Sequence, residues 1–228
     1  MGWMQTDSGQ RMFPLAPDES AVRLRDIATA LANKCRFGGM VRRFYSVAEH
    51  CIRVSLVLEA AGASPEAVIW GLMHDAAEAY MPDFVAPCKG EFAGLVTFRP
   101  GPIVTPELGA RLQAATPLEG GLFAEFQPIV VIEARIIAAV THALKLPALA
   151  PNSDTARLVY EADMVLRATE KRDVLSKQMD WEQPLLKPLP DKIKPIMPVE
   201  AKVRFLDVAK RLGIEERPAD EGGEECTD

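Results

Sequence analysis

"WGLMHDAAEAYMPD" (residues 70–83) is a helix-forming apolar run interrupted by His74, Asp75, Glu78 and Asp83. Trp70, Leu72 and Met73 ask for a core, and the ionisable residues ask for water or for partners. His74 and Glu78 are four apart and Asp75 and Glu78 three apart, spacings that share one face of a helix. Ile69, Leu72 and Met73 flank that face, so the polar cluster sits beside the core. Two carboxylates buried together are costly unless something positive pairs with them. A metal cation offsets several anions at once.

The same reading extends outward to two more helices. In "SVAEHCIRVSLVLEAAG" (46–62), Val47, Cys51, Val54, Val57 and Leu58 recur at helical spacing and set His50 toward the core side. In "DTARLVYEADMVLRATEKRDVL" (154–175), Ala162, Val165 and Leu166 surround Asp163 at a position that otherwise asks for a hydrophobe. A lone His50 reads as a hydrogen-bonded core histidine, and a lone Asp163 as the partner of an Arg. With His74 and Asp75 beside them, they read as two imidazoles and two carboxylates on three helices. That donor set suits a divalent transition metal such as Zn, Mn, Co or Fe. Four protein donors leave positions for water, whose pKa falls toward neutral on such an ion. His142 reads as an ordinary helix residue.

Helical patterns dominate the chain. "LRDIATALAN" (24–33) places Leu24, Ile27, Ala28 and Leu31 on one face, and Gly62 stops the second helix. Ser64-Pro65 opens "PEAVIWGLMHDAAEAY", expected to run to Tyr80 before Pro82. "PIVVIEARIIAAVTHALKL" and a final "PVEAKVRFLDVAKRLG", closed by Gly213, add two more helices. No alternating strand run and no internal repeat stands out. Residues 181–198 are rich in Pro and read as an extended wrap. The expectation is one all-α domain over residues 1–214, with 90–127 as a long irregular insertion rich in Gly and Pro, and 215–228 as an acidic disordered tail.

Bulk composition narrows the partners. The net charge of −6 sits in that tail, which holds seven acidic residues and one Arg, leaving 25 of each sign elsewhere. A neutral body argues against binding nucleic-acid polymers, though it leaves room for a local basic pocket around a small anion. No run approaches the roughly 18 apolar residues a membrane span needs, and the N-terminus lacks a secretory pattern. A cytoplasmic location away from membranes is the expectation. Cys35, Cys51, Cys88 and Cys226 form no C-x-x-C pair and read as reduced, mostly buried thiols.

The spacing H…HD…D, at His50, His74-Asp75 and Asp163, resembles the HD-domain metal-dependent phosphohydrolases. "HDAAEAYMPDFVAPCK" with upstream "RFYSVAEH" resembles their 5′-deoxynucleotidase-like branch. The likeness runs from "WMQTDSG" to "RFLDVAKRLG". It implies a helical HD-domain fold, His50, His74, Asp75 and Asp163 as metal ligands, and Glu78 and Asp83 as the pair that orients water and handles protons. It also implies Arg36 and Lys89 as contacts of the substrate phosphate, and a homodimer. Fixed positive charge on a phosphoryl group agrees with that chemistry. Arg42 and Arg43 read as rim residues. One departure stands out: where similar 5′-deoxynucleotidases carry a Trp after the pocket Arg, this chain has Phe37, followed by Gly38 and Gly39.

The leading expectation is an enzyme that hydrolyses deoxynucleoside 5′-monophosphates to deoxynucleoside and phosphate. A triphosphohydrolase releasing triphosphate from deoxynucleoside triphosphates is the nearest alternative. A nucleotide or metal sensor without turnover is a further one, and a purely structural helical module leaves the four polar residues unexplained.

Overall fold

The computed structural model describes residues 2–82, 129–177, 179–181 and 185–216. The expected insertion, nearly all of the acidic tail, Asp83 and Lys89 lie outside the described residues.

The described chain is mainly helical. It opens with a small antiparallel hairpin, β1 (Met4–Gln5) and β2 (Arg11–Met12), in the register Met4 to Met12 and Gln5 to Arg11. Strands of two residues leave no alternation to read, so the hairpin was not expected. Its turn docks on the first helix, where buried Asp26 accepts from Ser8 N–H (2.7 Å) and from Ser8 Oγ (2.6 Å).

Among the described residues six α-helices follow: α1 (Leu24–Asn33), α2 (Val47–Ala60), α3 (Pro65–Met73), α4 (Ile129–Ala143), α5 (Asp154–Val174) and α6 (Pro198–Arg211). Serine caps start three of them: Ser46, Ser64 and Ser153 accept from the N–H groups of Glu49, Ala67 and Ala156. Helix α2 packs on α3, α5 and α6, and α1 packs on α6. Ile27, Leu31, Trp70, Leu72, Leu166 and Phe205 are almost wholly buried in one core. Burying an aliphatic or Phe side chain of this size stabilises by roughly 1.5–3 kcal/mol.

Two local features place the site. Gly71 lets α3 approach α2 closely: a Cβ there would lie 2.7 Å from Leu58 Cδ1 and 2.9 Å from Ser55 Cα. This brings the His50 and His74 rings to 5.3 Å between centroids. The second feature corrects the expected helix to Tyr80. Helix α3 stops at Met73, Asp75 leaves helical geometry (φ −97°, ψ 15°), and a short 3-10 turn, Ala76–Ala79, follows. Gly71 O, the acceptor a continuing helix would offer to Asp75 N–H, takes His74 Nδ1 at 3.0 Å instead. The Asp75 backbone bonds the Cys51 sulfur.

The segment from 185 to 197 is extended, as its prolines suggest. It is strapped to α2 and α5: Ile196 N–H donates to Glu49 Oε2 (2.9 Å), Ile193 N–H to Asp173 Oδ2 (2.9 Å) and Leu189 N–H to Thr169 Oγ1 (2.9 Å). Among the described residues no helix is long and apolar enough to cross a membrane.

Candidate metal centre

Three helices bring the expected donors together. His50 comes from the first turn of α2 and is wholly buried. His74 and Asp75 close α3, and Asp163 projects from the middle of α5. His50 Nε2 stands 3.3 Å from His74 Nε2 and 3.2 Å from Asp163 Oδ1. Asp75 Oδ2 lies 3.3 Å from His74 Nε2 and 3.8 Å from His50 Nε2. Ligand atoms of His50, His74 and Asp163 lie within 4.8 Å of one another, as do those of Cys51, His74 and Asp75. The two groups share His74.

The histidines are aimed by their other nitrogens. His50 Nδ1 is 2.7 Å from Glu170 Oε1, and His74 Nδ1 is 3.0 Å from Gly71 O. With each Nδ1 held by an acceptor, both Nε2 atoms face the carboxylates. Metal-binding histidines are held this way, so the residues fit a divalent ion. Burial pushes the Cys51 thiol well up and keeps its proton on, which favours the two carboxylates as anionic donors. Buried His/Asp/Cys groups here can thus hold a metal ion.

The charges explain themselves around the same point. Burial and Arg36 oppose the protonated form of His50, but Glu170 and Asp163 outweigh them and hold its pKa up at about 9. Burial raises Asp75, yet His74, His50 and Arg36 hold its carboxyl well below the usual range. Asp163, partly buried, and Glu170, wholly buried, are likewise held low, the first mainly by His50 and the second by Arg36 and His50.

Arg36 sits deeper than a surface cation would. A bridge between Cys35 and Ser46, with Arg36 N–H donating to Tyr45 O (2.9 Å), fixes its backbone. Its guanidinium reaches Asp75 Oδ2 and Glu170 Oε2, each at 3.4 Å. These contacts are longer than the ~2.7–2.9 Å of tight charge-assisted bonds. Phe37 follows in the left-handed region (φ 55°), ahead of Gly38 and Gly39. Its ring lies 6.3 Å from Trp181 and 5.6 Å from the Arg36 guanidinium carbon. An indole therefore does stand here, supplied from far along the chain.

Beside His74 and Asp75 opens a cavity of about 220 Å³, walled by Ala77, Glu78, Glu133, Ala134 and Ile137. Glu78 is buried in that wall. A roomier open groove of about 670 Å³ between residues 15–19 and α4 shares no residue with the cluster. Exposed His142 lines that groove, 3.8 Å from Glu19, outside the cluster. Arg42 is an exposed residue that donates to Asp173 O at 2.8 Å. Glu133, Glu170, Trp181 and the closeness of Cys51 were not singled out from the sequence. For Glu170 a signal existed, since it follows Asp163 by seven residues, two turns along one face.

No family model matches the chain. It is similar to the Uncharacterized protein YfdR of Escherichia coli (strain K12), 37% identical over 89 residues. The match covers 39% of this chain and 47% of that relative, about half its length.

Proposed function

We propose that the chain is a divalent-metal-dependent phosphohydrolase of the HD-domain kind that hydrolyses deoxynucleoside 5′-monophosphates. The observation that carries this reading is two Nε2 atoms 3.3 Å apart, an Asp75 oxygen 3.3–3.8 Å from both and an Asp163 oxygen 3.2 Å from that of His50, each Nδ1 held from outside. His50, His74, Asp75 and Asp163 would hold the ion. When bound, such an ion acidifies water and draws charge from a phosphoryl oxygen.

The chain's own groups divide the remaining work. Glu78, in the cavity wall beside His74, orients the attacking water and takes its proton. The water oxygen bonds phosphorus as the P–O ester bond breaks, and the leaving deoxynucleoside oxygen takes a proton from Asp83. Arg36 offers a planar fork to the phosphate and Lys89 a point charge. Phe37 and Trp181 form a tilted aromatic step against which a sugar or base can pack. Asp83 and Lys89 hold these roles on the resemblance alone. The same resemblance suggests a homodimer.

The test is a product assay over the eight common nucleoside monophosphates and their triphosphates, with Mn²⁺, Co²⁺ or Zn²⁺ and with chelator. Phosphate and deoxynucleoside from monophosphates, abolished by chelator, is the expected result. Triphosphate released from triphosphates would move the assignment to the triphosphohydrolase alternative. Heat stabilisation by nucleotides without any product would favour a sensor.

A further inference from the structure

The cluster contains one buried carboxylate that the proposed ligand set does not use. Glu170 is wholly buried on α5, two turns beyond Asp163. Its Oε1 is 2.7 Å from His50 Nδ1, and its Oε2 is 3.4 Å from Arg36. Arg36 in turn reaches Asp75. One carboxylate thus ties a histidine of α2 to an arginine of the α1–α2 loop, and through it to the end of α3. A fully buried carboxylate is costly unless its partners are charged and well placed. Solvent does not share in holding it; its position is set by these contacts together with the Tyr45 hydroxyl.

From this geometry we infer that Glu170 is a positioning residue, which fixes His50 with its proton on Nδ1 and its Nε2 toward the ion, and which holds Arg36 at the edge of the site. The inference rests on the metal-site reading and adds to it a residue outside the ligand set. It concerns metal affinity and does not require that the substrate be a nucleotide. A carboxylate accepting from Nδ1–H raises the basicity of Nε2 and freezes the ring's orientation. Losing such a partner typically costs 10–100-fold in metal affinity. Gln keeps an acceptor oxygen for Nδ1–H but loses the charge, so its effect should fall between wild type and Ala.

The experiment is calorimetric titration of the full-length, metal-free chain with Co²⁺ alone, for wild type, E170Q and E170A. Long-range ¹H–¹⁵N spectra of the Zn²⁺-loaded wild type are recorded alongside. The expected result is a Co²⁺ affinity lowered about 10–100-fold in E170A, a smaller loss in E170Q, and a His50 Nδ1 proton retained in the loaded protein. Folded E170A with wild-type affinity would overturn the inference while leaving the metal site standing. A His50 proton on Nε2 would overturn it too, and this result needs no variant to fold. Should E170A fail to fold, E170Q binding Co²⁺ as tightly as wild type would count against the charge of Glu170. Wild type that takes up no ion would overturn the metal reading and this inference together.

Discussion

Two buried carboxylate clusters flank helix α2, and they are built differently. In the first, Glu49 Oε1 accepts from Arg53 at 2.7 and 3.0 Å, and Oε2 accepts from Ile196 N–H at 2.9 Å. In the second, one residue along, His50, His74, Asp75, Asp163 and Arg36 face one another mostly at 3.2–3.8 Å. The first cluster closes on itself and ties the extended segment to α2 at Ile196. The second gathers donors and acceptors around a point without closing. Adjacent residues of one helix thus serve two purposes. A cluster whose oxygens are matched by short protein contacts belongs to the fold, and one that converges without closing belongs to a ligand.

That contrast breaks if variants of the two clusters behave alike. Asp163→Ala should lower divalent-ion affinity and product formation by about 10²-fold or more, above the cost of losing an outer partner. Melting of the metal-free variant should fall as well, because the carboxylate that His50 holds low is lost. Glu49→Ala should lower stability alone. It leaves Ile196 N–H without its acceptor and Arg53 without its ion pair, at roughly 2–3 kcal/mol. For a chain of this size the melting temperature should fall by about 5–10 °C, while ion affinity of the folded protein is kept. Calorimetry and scanning melts read both.

The pH dependence separates the two clusters next. An ion must displace the proton of His50, held up to about 9, so ion affinity should rise about tenfold per pH unit up to that value. In chelator the sign reverses. A His raised in the folded state stabilises fully below its ordinary 6.5 and loses that contribution as pH climbs through about 9. Asp75, Asp163 and Glu170, held low, add stability above the usual carboxylate range and lose it as pH falls below that range. Melts of metal-free protein from acid to pH 10 should show both flanks, with the alkaline one absent in His50→Gln.

Gly71→Ala probes how the helices set the site. Its Cβ would crowd Leu58 and the Ser55 backbone, at a cost of about 1–3 kcal/mol, and push His74 away from His50. Both melting temperature and ion affinity should fall, whereas Glu49→Ala moves only the first. The smallest effect belongs to Trp181→Ala. Stacking on an aromatic ring is worth about 1–3 kcal/mol, so KM for a nucleotide should rise several-fold with kcat little changed.

Much of the site was legible because ionisable residues stand out in apolar helix faces. His50 sits among Val47, Cys51 and Val54, and Asp163 among Ala162, Val165 and Leu166. The break of α3 at His74 was not legible, since "AAEAY" continues as good helix formers. Tertiary partners decide it: Gly71 O is taken by His74 Nδ1, and the Asp75 backbone turns to Cys51. Glu170 shares the face of Asp163, yet its surroundings masked it. It lies in "ATEKRD", a charged run that reads as a solvated face, and only packing against α2 buries it. Trp181 reaches Phe37 through chain topology, which no local pattern encodes.

The central claim is that three helices hold one divalent ion, and anomalous diffraction from crystals of the full chain grown with Mn²⁺ or Co²⁺ tests it most directly. The account requires a single strong peak about 2.0–2.3 Å from Nε2 of His50 and His74 and from carboxylate oxygens of Asp75 and Asp163. No peak at saturating ion, or a peak bonded to other residues, would contradict it.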